Sequence, residues 1–193
     1  MTCPWKIGIL GVGNVLMGDD GIGPFVVKVL ESRFEFPQHV SLEDLGTPGL
    51  GITPFLSDYR AIILIDAVSA KGKPGDVKLY RKDELIHLRM QPRVSPHDPA
   101  LVEALLFAEL SGKCPGEVLL VGVVPESSEL SCSLSVAARQ AVEPAMEAVF
   151  VELRRLGIEP LPRTPPATPS IWWDATASSG PLTGEPYVSR DTR

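Results

Sequence analysis

Lys6-Ile-Gly-Ile-Leu10, followed at once by Gly11-Val-Gly-Asn14 and a little later by Asp19-Asp20, decides how the rest of this chain is read. A short apolar run that stops at closely spaced glycines is the pattern of a buried strand passing into a tight loop. A helix is expected next. Ile22, Phe25, Val26, Val29 and Leu30 share one face at helical spacing, and Pro24 is tolerated because it lies in the first turn.

Outward from that unit the alternation repeats. Residues 40–44 and 60–66 read as two more strands, the second a near-continuous Ala-Ile-Ile-Leu-Ile run of the kind buried on both faces of a parallel sheet. A polar turn at 71–75 leads to a further strand at 76–80, and the chain then reads as irregular until Ser95-Pro-His-Asp-Pro99. There Asp98 can cap a helix with Pro99 at its first position. That helix, at about 100–110, precedes a Val/Leu-rich strand at 117–124. A long closing helical stretch follows, with Val142, Met146, Val149, Phe150 and Leu153 on one face, which Pro144 is expected to kink or split. Strands and helices at this spacing predict a three-layer α/β/α sandwich around a mostly parallel twisted sheet.

The 193 residues, 44% of them hydrophobic, suffice for one domain with a full core. That domain is expected over residues 1–160. From Pro160 the composition turns to Pro, Ser, Thr and Gly, so 161–193 reads as a disordered tail whose strong apolar anchors are Trp172 and Trp173, able to dock on a partner or on the domain itself. Eighteen Lys and Arg against 24 Asp and Glu give a net charge of −6, which offers no footprint for a phosphate backbone, and nucleic acid is not an expected partner. No leader-like N-terminal stretch and no run of roughly 18 apolar residues predict a soluble, unexported chain without membrane insertion. Cys3, Cys114 and Cys132 are scattered, without CxxC spacing, which fits a reducing cytoplasm. A monomer is the default expectation.

In open α/β sheets ligands bind beyond the carboxyl ends of the strands. Asp20 after the first strand's loop, Asp66 at the end of the third strand and His97 before a later helix all fall there. Two carboxylates and an imidazole suit a divalent first-row metal with positions left open for water or substrate. Each residue has a plainer reading: Asp20 as an anion at a helix's positive end, Asp66 as a turn cap, His97 as a solvated loop histidine. His39 and His87 carry only the plain reading. The rival is a dinucleotide site at Gly11-Val-Gly-Asn14, but the third glycine of that fingerprint would fall at Leu16, and Asp19 and Asp20 would set negative charge beside the phosphates. No GxxxxGK[ST], GxSxG or HExxH motif occurs.

The run Gly11-Val-Gly-Asn-Val-Leu-Met-Gly-Asp-Asp-Gly-Ile-Gly23 resembles the opening signature of the hydrogenase maturation endopeptidases. The resemblance continues through Asp44-Leu-Gly-Thr-Pro-Gly49, Ile63-Leu-Ile-Asp-Ala67, Ser95-Pro-His97 and Val121-Gly-Val-Val-Pro-Glu-Ser127, to about Pro160. It implies an α/β/α sandwich and cleavage of the C-terminal extension from the nickel-loaded large-subunit precursor of a nickel-iron hydrogenase. It also implies that Asp20, Asp66 and His97 engage the nickel, that the enzyme groups with aspartic peptidases through Asp20 or Asp66, and that Asp44, Gly46 and Thr47 shape the cleft. Leu45 replaces a glycine of the family's loop, and a glycine that often shortly precedes the Leu134-Ser135 pair is absent. Two routes to peptide cleavage stay open: a metal that polarises the carbonyl or activates water, or an aspartate acting as general base while nickel serves recognition. A metal-dependent scaffold or chaperone that inspects the precursor without cutting it is the alternative function.

Overall fold

A computed structural model describes residues 6–87 and 98–174. Strand β1, Ile7–Val12, forms where the apolar run predicts it, and all six of its residues are buried. It pairs in parallel with β3 (Val40–Gly46) on one side and β4 (Ala61–Ala67) on the other. Beyond β4 lies β6 (Glu117–Val123), also parallel, and at the far edge β5 (Val77–Arg81) runs antiparallel to β6. The five-stranded order is therefore β3-β1-β4-β6-β5. The mostly parallel α/β sandwich expected from the sequence is the fold observed.

Alternation along the strands sorts the core into two layers. Ile7 and Ile9 of β1, Ile63 and Ile65 of β4, and Leu119 and Val121 of β6 face α1 (Ile22–Arg33) and α5 (Val136–Arg155). Leu10, Ile62, Leu64, Val118 and Leu120 face the opposite layer, built from α2 (Thr53–Asp58), α3 (Lys82–His87), α4 (Asp98–Leu110) and the 3-10 turn Gly49–Ile52. Both faces are apolar, as a parallel sheet requires.

Three details differ from the sequence reading. α5 is one continuous helix and does not split at Pro144, because that residue and Gln140, whose carbonyl it leaves without its helical donor, are both exposed and water can serve the freed group. Lys82–His87, read as irregular, is a short helix anchored by the buried Leu85. The fold also continues past residue 160. Leu161–Pro162, as β7, pairs antiparallel with β2 (Phe34–Glu35), and Ile171 and Trp173 enter the core beside α1 and α5. Composition predicted disorder for this stretch because prolines dominate it, but two apolar anchors set among them are enough to hold it on the domain. No helix among the described residues is long and apolar enough to cross a membrane.

Candidate active site at the carboxyl edge of the sheet

β1 leads through α1 to β3 on its left, and β3 returns through α2 to β4 on its right. The two connections cover opposite faces, so the chain diverges between β1 and β4, the place at which open α/β sheets bind ligands beyond the carboxyl ends of their strands. Asp66 stands one residue past the last β1–β4 pair, Gly11↔Ile65, and level with Gly122 of β6. It is 4% exposed, and its Oδ1 accepts a hydrogen bond from the Ala67 N–H at 2.8 Å.

Asp20 lies on the connection that leaves β1 at this end of the sheet. After β1 the chain folds into a 3-10 turn, Gly18–Gly21, that runs straight into α1 and packs against β4. Asp20, also 4% exposed, accepts a hydrogen bond at Oδ2 from the Asn14 N–H at 2.7 Å. Two glycines permit this approach. Gly13 has φ +138°, and a Cβ there would lie 1.8 Å from the Asp20 carbonyl oxygen; a Cβ on Gly23 would lie 2.2 Å from the Ile65 carbonyl oxygen and 2.3 Å from that of Val12. The glycines of the opening motif thus let backbone meet backbone. This closes the dinucleotide reading, because the Asp20 backbone fills the space above Gly13 and the Asn14 N–H is already committed to a carboxylate.

Asp19, which the sequence reading left without a role, holds this turn to the rest of the molecule. Only 1% exposed, it accepts hydrogen bonds from the N–H groups of Glu126 at 2.8 Å, Ser127 at 3.3 Å and Ser135 at 2.6 Å, and from the Ser135 hydroxyl at 2.8 Å. The Ser135 Oγ in turn accepts from the Ala138 N–H and caps α5. The serine ahead of a helix was a readable signal; its pairing with Asp19 was not, because the two lie far apart in the chain.

The end of β3 and the residues after it lie beside the β1 loop. Asp44 accepts from the Gly46 N–H at Oδ1, an Asx turn with Gly46 at φ +57°, and the Gly46 carbonyl accepts from the Gly13 N–H at 2.8 Å. Thr47 follows, exposed at the rim. His97 lies outside the described residues; its neighbour Asp98 opens α4, which packs against both α2 and the Gly49–Ile52 turn. Among the described residues no three His, Cys, Asp or Glu side chains gather into a metal-binding group. What the structure shows is two buried carboxylates, Asp66 at the end of β4 and Asp20 on the 3-10 turn packed against that strand.

Comparison with known proteins bears directly on this arrangement. A family model described as hydrogenase maturation protease matches residues 24–152. The hydrogenase 2 maturation protease of Escherichia coli strain K12 is 36% identical over 159 residues, covering 82% of this chain and 96% of that protein. The structure of the hydrogenase maturating endopeptidase HybD from E. coli superposes with a TM-score of 0.77 at 36% identity, over 83% of this chain and 99% of the other. The nickel-iron hydrogenase maturation protease HybD from Thermococcus kodakarensis gives a TM-score of 0.61 at 26% identity, over 75% and 96% of the respective chains.

Proposed function

Since this chain belongs to the hydrogenase maturation protease family, we propose that it removes the C-terminal extension of a hydrogenase large-subunit precursor and recognises the nickel carried by that substrate through Asp20, Asp66 and His97. The observation that supports this reading is the burial of two carboxylates, Asp66 at the carboxyl end of β4 and Asp20 on the 3-10 turn that packs against β4. Oxygen donors and an imidazole are also the donor set that a first-row divalent ion accepts while keeping positions open. Asp44, Gly46 and Thr47 shape the cleft wall over which the extended substrate tail would lie.

Under this proposal nickel belongs to the substrate, and its engagement reports that the precursor has been loaded. The hydrolytic step is of the aspartic type: Asp66 or Asp20 takes a proton from water as the oxygen attacks the scissile carbonyl, and returns it to the departing amine. The cytoplasm, where a precursor would be assembled, is the proposed place of action.

The test is cleavage of a co-expressed, nickel-loaded large-subunit precursor by the wild type, His97→Ala and Asp66→Asn, with mass spectrometry of the released peptide. Release that depends on nickel and on His97 supports the proposal. Retained nickel binding without cleavage in Asp66→Asn assigns Asp66 to the chemistry as well as to recognition. Stable binding of the precursor by the wild type with no peptide released would replace the peptidase by the scaffold alternative.

A further inference from the structure

Residues 161–174 lie beyond the stretch matched to the family and pack on the α1/α5 layer. At their start they close the C-terminal end of α1. The Arg163 side chain donates to the carbonyls of Glu31 and Phe34, and the Arg163 and Ala167 N–H groups donate to those of Arg33 and Ser32. In the middle, Ile171 and Trp173 are buried with α1 and α5, while Trp172 stays 78% exposed. At the end, Asp174 is buried among polar partners: its carboxylate accepts from the Arg139 guanidinium and, at 3.1 Å, from the Ser133 hydroxyl. Arg139 itself lies 5.7 Å from the centre of the Phe25 ring, linking α5 to α1.

Ser133 belongs to the loop that Asp19 holds from the other side. Its carbonyl accepts from the Ser131 hydroxyl and its N–H donates back to that oxygen. The Ser131 backbone is bonded to both Gly18 and Leu16. Residues 126–135 are therefore clamped between Asp174 outside and Asp19 inside, with Asp20 next to Asp19 in the chain. A wholly buried carboxylate is a costly way to fasten a chain end, since apolar contacts with the core would suffice for that alone. Its bonds reach the loop that carries the Asp19 contacts.

We propose that residues 161–174 are an intramolecular strap that positions the Asp19–Asp20 turn, with Asp174, Arg139 and Ser133 as positioning residues for the carboxylate site. The strap holds the loop 126–135 in the one arrangement that satisfies Asp19, and so fixes where Asp20 meets the substrate. Its effect on cleavage rests on the function proposed above; its effect on the loop does not.

Hydrogen exchange of the full chain tests it, comparing the wild type with Asp174→Asn and Ser133→Ala. Exchange at the amides of Gly18, Asp19, Ser127 and Ser135 is expected to accelerate about tenfold in both variants, while β1, β4 and β6 keep their protection. In precursor cleavage kcat is expected to fall with little change in KM, and Ser133→Thr, which retains the hydroxyl, to restore it. Unchanged exchange in this loop in a folded variant overturns the proposal and leaves the strap as a cover for the core. Should Asp174→Asn fail to fold, Ser133→Ala decides alone, since it leaves the Asp174–Arg139 pair in place. If the wild type cleaves no precursor, the functional reading fails while the exchange result still settles the strap.

Discussion

The carboxylate of Asp19 accepts both the backbone N–H and the side-chain hydroxyl of Ser135, at 2.6 and 2.8 Å, across 116 positions of sequence. Asp20 beside it is buried as well and accepts from the Asn14 N–H. Two adjacent aspartates thus carry different loads: Asp19 holds the loops, and Asp20, under the function proposed above, addresses the substrate.

Substitution separates them. In Asp19→Asn the amide group must face at least one N–H that now donates to a carboxylate oxygen, because both oxygens accept from backbone. A loss of about 2–3 kcal/mol is expected, seen as a lowered midpoint in denaturant unfolding. Asp20→Asn can keep the Asn14 bond through its remaining oxygen. It should unfold within about 1 kcal/mol of the wild type and lose nickel-dependent release of the precursor tail. Equal destabilisation by both changes would refute the division of labour.

Glu152 sets a pH limit on stability. It is buried, and Arg81 holds it in a two-pronged pair at 2.6 and 2.8 Å while Arg155 donates twice more and also reaches Glu117. Burial pushes the carboxyl up, but the hydrogen bonds from Arg155 and Arg81, joined by their charges, outweigh it and hold the pKa at about 2. A carboxylate lowered from its ordinary 4.5 stabilises the fold fully above that value, and the contribution drains away as pH falls from about 4.5 toward 2. Glu152→Gln should lower stability at neutral pH by about 2 kcal/mol, the half-exposed arginines softening the loss. The gap to the wild type should then narrow in unfolding titrations below pH 4.5.

Strands β1, β4 and β6 were legible because each is a nearly continuous apolar run, and the turn from strand into the Asp20 region was marked by its glycines. Asp66, at the carboxyl end of a buried strand, and Asp20, beyond the β1 loop, were singled out by position alone, and the structure buries both. Asp19 was not, because nothing local distinguishes a carboxylate that will bind a loop more than a hundred residues away. The fate of 161–174 was legible only in part: Trp173 docks on the domain, as one of the two expected anchors could, while the order of the stretch around it was not expected. Proline content argued for disorder, whereas Ile171 and Trp173 belong to a core whose other side, α1 and α5, was written much earlier in the chain.

Thiol reactivity should divide sharply. Burial, and then a hydrogen bond with Glu109, raise the Cys114 thiol to about 11, whereas Cys132 is exposed on the loop before α5. Iodoacetamide at pH 8 should label Cys132 rapidly and leave Cys114 almost untouched, since only the thiolate attacks. Peptide mapping reads the outcome, and prompt labelling of Cys114 in the native protein would contradict the packing of α4 near its C-terminal end.

Gly23 offers the sharpest test of how the site is built. It sits in the first turn of α1, where alanine would ordinarily favour the helix by about 1 kcal/mol. Here a methyl group would lie 2.2 Å from the Ile65 carbonyl and 2.3 Å from that of Val12, and both obstacles are backbone of the central strands, which cannot swing aside as a side chain could. Gly23→Ala must therefore push α1 off the sheet. A net destabilisation of about 3 kcal/mol is expected, together with weakened precursor cleavage, because Asp20 is fixed to the start of that helix while Asp66 stays with β4. Gly51→Ala is the matched control: nothing lies within 4 Å of its added methyl, and its unfolding midpoint should stay at the wild-type value. If both substitutions proved equally benign in thermal unfolding, the close contact between α1 and the β1–β4 pair would not be what fixes Asp20 against β4.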